Sequence, residues 1–205
     1  MKYTIAIVLI VLVQIWLVIP IWNPGFKART VPVILVLGLA AWRQFRKRSH
    51  WGLSPKALVP ASIRAAVFTL PVVLFAVLYL VLGSSTTPFW ASVNLPVTFG
   101  FLFIWALGQQ FALQAVILEE SIEKLKEGRK AVLLTAGIFA LLHLPNPFLT
   151  AVTFVGGVVW CSIYRRYPNI VPLALSHAIS SLSLMAALDR EITGGMRVGY
   201  SYLVH

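Results

Sequence analysis

No aspartate or glutamate occurs in the first 118 residues of this 205-residue chain, although nine lysines and arginines do. Over the whole sequence 11% of residues are charged and 59% are hydrophobic. A soluble domain carries about 25% charged residues. So few charges do not cover a water-facing surface, which excludes an ordinary soluble globule, a disordered chain and a collagen-like fibre. The six carboxylates, Glu119, Glu120, Glu123, Glu127, Asp189 and Glu191, all follow position 118. The single cysteine, Cys161, is too little for a disulfide framework or a thiolate metal site, and it lies in an apolar run as a small buried hydrophobe.

At this length the chain is one integral membrane domain, 1–205. A transmembrane helix needs about 20 mostly apolar residues. Candidate spans are 3–22, 30–43, 63–83, 97–118, 131–144, 148–164 and 170–188. The expected fold is therefore all-α, a polytopic membrane helix bundle with about seven transmembrane helices, six to eight. The apolar run from Ile5 to Ile21 exceeds a signal-peptide core of about 7–15 residues and no small-residue cleavage site follows, so it reads as a retained span. The second and fifth candidates are short and call for tilt, snorkelling or shielding within the bundle. Pro96 breaks the run 88–118, which allows a short interfacial helix before the fourth span.

Basic content alternates between loops. The connection from span two to three holds Arg43, Arg46, Lys47, Arg48, Lys56 and Arg64, while Gly83 to Pro88 has no charge. Residues 119–130 hold Lys124, Lys126, Arg129 and Lys130, the Pro145-Asn146-Pro147 turn has none, and Arg165 and Arg166 return. The positive-inside rule then puts the basic loops and the N-terminus inside, in what is expected to be a bacterial cytoplasmic membrane, with Lys27 and Arg29 as a modest conflict. The cluster from Arg43 to His50 reads as a topology determinant with some capacity for anionic lipid. The net charge of +11 thus points to membrane lipids as partners and not to nucleic acid. The eight charges of 119–130 cancel, and Glu120 and Lys124 form a favourable i,i+4 pair. This segment reads as a solvated helical extension of the fourth span, ending near Gly128.

Polar groups at bilayer depth are expensive and are functional suspects by default. Three places stand out. Gln109, Gln110 and Gln114 lie in the fourth span, with Gln110 and Gln114 one turn apart on one face. Phe139 and His143 lie near the end of the fifth. His177 and Ser181 share a face of the seventh. Each alone is readable as hydrogen-bonding glue between helices, at roughly 0.6 kcal/mol a pair. The set spans three helices, which favours a site.

The order and spacing of these residues resemble the CPBP family (CAAX prenyl protease and bacteriocin-processing) of integral membrane endopeptidases. Its pattern is Glu-Glu-x-x-x-Arg, then Phe-x-x-x-His, then His-x-x-x-Asn, each on its own membrane helix. Here Gln109-Gln110-x-x-x-Gln114, Phe139-x-x-x-His143 and His177-x-x-x-Ser181 take those places, and Ile170 to His177 resembles the run into the third motif. The resemblance covers roughly 97–188. It implies catalytic positions at Gln109, His143, His177 and Ser181, and binding positions at Gln110, Gln114 and Phe139. It implies water activated by the first Glu and first His, an oxyanion held by the second His and the Asn, and no cofactor.

The departures fall on the chemistry. A carboxylate takes a proton from water and an amide practically does not, so Gln109 does not fill the general-base role. Gln110 and Gln114 exchange a charged pair for a neutral one. Ser181 still donates one hydrogen bond where Asn would. Glu119-Glu120-x-x-x-Lys124 is an alternative register, but it leaves only 24 residues to His143 against 34 from Gln109 and lies about 15 Å further along the helix. His143 alone as base, with its ordinary pKa of about 6.5, a Ser181–His177 dyad and a zinc site are weaker readings, the last because about three ligands are needed. The expectation is a CPBP-type endopeptidase-like protein that hydrolyses peptide bonds with activated water if it is active. Its cavity is expected to be lined by Gln109, Gln110, Gln114, His143, His177 and Ser181. The alternatives are an inactive relative that binds a membrane peptide or a lipidated partner, and a structural subunit of a membrane complex.

Overall fold

The computed structural model describes residues 1–18, 26–47, 51–83 and 94–204, and only the backbone of 26–30. The uncharged loop after Gly83, the stretch before Asn94 and the end of the basic cluster, Arg48 to His50, lie outside the described residues, as do the side chains of Lys27 and Arg29. The described residues form helices and turns, with one isolated bridge between Leu53 and Asn169. Helix α1 is Lys2–Val13 and continues as a π turn, Gln14–Val18. Then come α2 (Phe26–Lys47) and α3 (Pro55–Leu82). Helix α4 starts at Leu95–Gln110, passes through a π-helical stretch, Phe111–Leu118, and ends as α-helix over Glu119–Leu125. Helices α5 (Gly128–Leu141), α6 (Pro147–Arg166) and α7 (Ile170–Ala187) follow, then the short α8 (Arg190–Thr193) and α9 (Tyr200–Leu203).

The all-α membrane bundle is as expected, and seven long helices coincide with the seven apolar runs. Four of them, α3, α4, α6 and α7, are long and apolar enough to cross a membrane. The other three fall short for identifiable reasons. Helix α5 has 14 residues, α1 with its π turn is described only to Val18, and the apolar part of α2 is cut by Arg29 and Arg43 to about 20 Å at 1.5 Å per residue. Pro96 does not break a helix. It takes the first turn of α4, where its missing N–H costs nothing, behind Asn94, whose side chain accepts from Val97 N.

Helix α7 is packed by α3 on one side and α4 on another, α5 lies along α6, and α1 lies along α2. The core joins Leu113, Val116 and Leu118 of α4 to Trp160, Cys161 and Tyr164 of α6 and Leu173 of α7. Helices α5 and α6 touch at Gly157, where a Cβ would stand 3.1 Å from the Ala136 Cα, so the small residue lets the two helices approach closely. Helix α3 presents Val59, Ile63, Val67, Leu74 and Val81 outward, with Val81 74% exposed. Such a continuous apolar face is a lipid-facing surface.

One end of the bundle overturns part of the charge reading. Arg43 is fully buried, not a lipid-facing cation. Its guanidinium donates to Ala115 O at 2.7 Å, to Glu119 at 2.9 Å and to Glu123 at 3.2 Å, and Lys47 also pairs with Glu123. Glu120 is buried too, and its partners are Thr4 N (2.9 Å), Thr4 Oγ1 (2.8 Å), Tyr3 N (3.4 Å), the N-terminal ammonium (3.5 Å) and Arg43 Nε (3.8 Å), not Lys124. The extension of α4 ends at Leu125, and its first turn is a packed junction where solvent was expected. Drawing these carboxylates out of water is tolerable here because each is paired and hydrogen-bonded. Thr4→Val keeps the shape and removes the hydroxyl donor, so it is expected to cost about 1.5–3 kcal/mol, the worth of a hydrogen bond to a charged group. Thermal unfolding in detergent checks this, with Thr4→Ser close to neutral.

Candidate functional site

The first motif sits where α4 changes its winding. Beyond Gln110 the helix widens to a π-helical pattern, a distortion that recurs at functional sites. Within it Ala115 O accepts from Arg43 and also from Gln44, so α2 side chains satisfy the altered backbone. Gln114 Nε2 donates to Gln110 Oε1 at 2.9 Å, and both side chains are fully buried. The second amide nitrogen, Gln110 Nε2, is buried without a hydrogen-bond partner. Gln109, about 100° round the helix, is only half-buried and faces the other way, into a cavity of about 330 Å³.

That cavity is lined by Ile7 and Val11 of α1, Val36 of α2 and Trp105 of α4, together with Phe139 and His143. Its lining is almost wholly apolar, with Gln14, Gln109 and His143 as the polar exceptions. His143 lies in the turn after α5 and not in a membrane helix, because α5 stops at Leu141 before Pro145. Its Nδ1 stands 2.7 Å from Phe139 O, a carbonyl at the end of α5. A carbonyl only accepts, so Nδ1 carries the proton and Nε2 is left with a free lone pair. The Phe-x-x-x-His spacing thus caps the helix and fixes the tautomer together.

His177 stacks on Trp160 at 4.6 Å between ring centroids and meets Phe139 edge-on at 6.0 Å. Phe139 also meets His143 edge-on at 4.8 Å. One phenyl ring therefore stands against both imidazoles. Trp160 is held in turn by its Nε1, which donates to Ser176 Oγ at 3.1 Å, and Ser176 Oγ is hydrogen-bonded to Thr69 Oγ1 of α3 at 2.7 Å. His177 Nδ1 is buried without a hydrogen-bond partner.

Of the residues singled out in the sequence, Gln109, Phe139 and His143 line one cavity. Gln110 and Gln114 are in the packed core behind its wall, His177 approaches it only through Phe139, and Ser181 lies one turn of α7 beyond His177, half-buried. The alternative-register carboxylates, Glu119 and Glu120, are engaged by Arg43 and α1. Among the described residues no cluster of three or more His, Cys, Asp or Glu is placed to hold a metal ion. Sequence reasoning missed Trp160, Ser176 and Thr69, for which no local pattern exists. It also missed Asn146, which the Asn-Pro step at a helix start does signal.

Residues 90–183 match the family described as type II CAAX prenyl endopeptidase Rce1-like. The motifs around Gln109, His143 and His177 all fall in that stretch, and over it the chain is similar to that family, in line with the resemblance. No curated protein and no solved structure matches the chain.

Proposed function

We propose that this CAAX-protease-like membrane protein binds a membrane-embedded or lipidated peptide segment without hydrolysing it. The observation that carries the reading is the cavity wall. Gln109 stands on it with His143, and none of the described residues lining it is a carboxylate. An amide both donates to and accepts from a peptide backbone, which suits recognition, but it has no basicity with which to take a proton from water. The carboxylates of α4 are committed elsewhere, and Asp189 and Glu191 are exposed on the tail. Gln110 keeps α4 in register through Gln114, and the aromatic pair of Phe139 and Trp160 orients His177. In a bacterial cytoplasmic membrane the end bearing Arg43, Lys47 and the N-terminus faces inward by the positive-inside rule.

Purified protein in lipid vesicles, incubated with a library of plain and lipidated membrane peptides, tests this directly. The expected result is that a photo-crosslinker at Leu142 captures peptides that remain uncut. Cleavage that disappears in His143→Ala would show an active protease and end the non-hydrolytic reading. Absence of any captured peptide would end the binding reading.

A further inference from the structure

The tail after α7 contributes a wall to the same cavity. Val198 lines it beside Leu142 and His143. On one side of Val198, Arg197 O accepts from Asn146 Nδ2 at 3.0 Å, and the same amide also donates to Thr193 O at 2.9 Å. On the other side, Gly199 N donates to Leu144 O at 2.8 Å. Gly199 also rests on the end of α1, where a Cβ would lie 2.5 Å from Ile15 O, at φ +57°, a conformation other residues rarely adopt. Asn146 itself is fully buried and fully used, because its Oδ1 accepts from Leu149 N at 3.0 Å and caps α6. Yet the segment adds little to the core. From Gly194 to Val198 every residue is half-buried, and only Thr193 and Gly199 at its ends are fully buried.

We propose that residues 194–199 form a strap that opens and closes the His143 end of the cavity, with Asn146 as its latch. A segment held by a few hydrogen bonds and little apolar burial opens locally at a fraction of the global free energy. When it lifts, Val198 leaves the wall, and water or a peptide end reaches His143 from the side opposite the Arg43 junction. This deepens the binding reading by naming how its site is entered, and it rests on that cavity being the site.

The test measures entry without any ligand. Gln109→Cys provides a thiol on the cavity wall, while the native Cys161 is buried. A small water-soluble thiol reagent is expected to label it at least tenfold faster when Asn146→Asp is added. That change leaves an oxygen to cap α6 but removes both donors to the strap. Gly199→Ala, which pushes the strap off α1, is expected to do the same. Equal labelling rates in both backgrounds would overturn the strap. Hydrogen exchange on the unaltered protein avoids any folding defect: the amides of Arg197 and Gly199 should exchange faster than those of α6 and α7. Equal protection would show a fixed wall and overturn the proposal. Because labelling needs no peptide and peptide capture needs no strap motion, the two readings fail separately.

Discussion

Replacing Arg43 with alanine is expected to remove about 3–5 kcal/mol of stability, the cost of breaking a buried ion pair by deleting one partner. The size follows from what is left behind. Glu119 and the buried Glu120 lose their guanidinium, Glu123 is left with Lys47, and Ala115 O loses one of its two donors at the π-helical stretch of α4. With stabilities of about 5–15 kcal/mol in the usual range, that loss leaves little folded protein. Monodispersity and thermal unfolding in detergent report it. The control removes most of the charges together: Arg43→Met with Glu119→Gln and Glu123→Gln should recover much of the loss, since Glu120, the carboxylate that stays, keeps Thr4 and the N-terminal ammonium. If Arg43→Ala keeps the unfolding temperature of the native chain, the junction is not a determinant of the fold. The location gives the result a second meaning, because the carbonyl Arg43 holds lies one residue beyond Gln114 on the same stretch.

The helices were legible because a bilayer forces an apolar run for every crossing, and an apolar run needs no partner to be recognised. The partners of Arg43 were not legible. They lie 72 to 80 residues away, and nothing local distinguishes an arginine that anchors a loop in lipid headgroups from one buried against glutamates of another helix. The same blindness turned Glu120 into an exposed partner of Lys124. At the site, identities were legible and positions only partly so. Three glutamines and two histidines stood out by their polarity at depth, but one helical face was not enough to tell that Gln109 lines the cavity while Gln110 is in the core. That division depends on which side of α4 the cavity opens, and this is set by α1 and α2, far away in sequence. His143 was expected on a helix and sits in the turn that follows, where its ring closes the last turn of α5. The tail from Asp189 carried no readable signal, since its contact with the cavity is a single valine placed by Asn146 and a glycine turn.

Restoring charge to the first motif is expected to produce the largest change of all, a gain of peptide cleavage by 10²–10⁴-fold over the native chain, the range a positioned general base contributes. The variant is Gln109→Glu with Gln110→Glu and Gln114→Arg. The carboxylate at 109 would line the same cavity as His143, whose free Nε2 lone pair already faces away from Phe139 O. A water held between them has a group that takes its proton, which the amide does not offer. A carboxylate at position 110 and a guanidinium at position 114 would replace the 2.9 Å amide pair by an ion pair one helical turn apart, so neither charge is left alone in the core. Arginine is the larger side chain and enters a fully buried place, and overpacking of this kind costs about 1–3 kcal/mol, so the unfolding temperature has to be measured beside the rate. Gln109→Glu alone, which changes no core volume, serves where the triple variant is unstable. Cleavage that appears in either and vanishes on adding His143→Ala would place the loss of chemistry at residue 109. A well-folded variant that still captures peptides and cuts none would place it elsewhere, in a cavity whose apolar walls no longer admit the water that the reaction consumes.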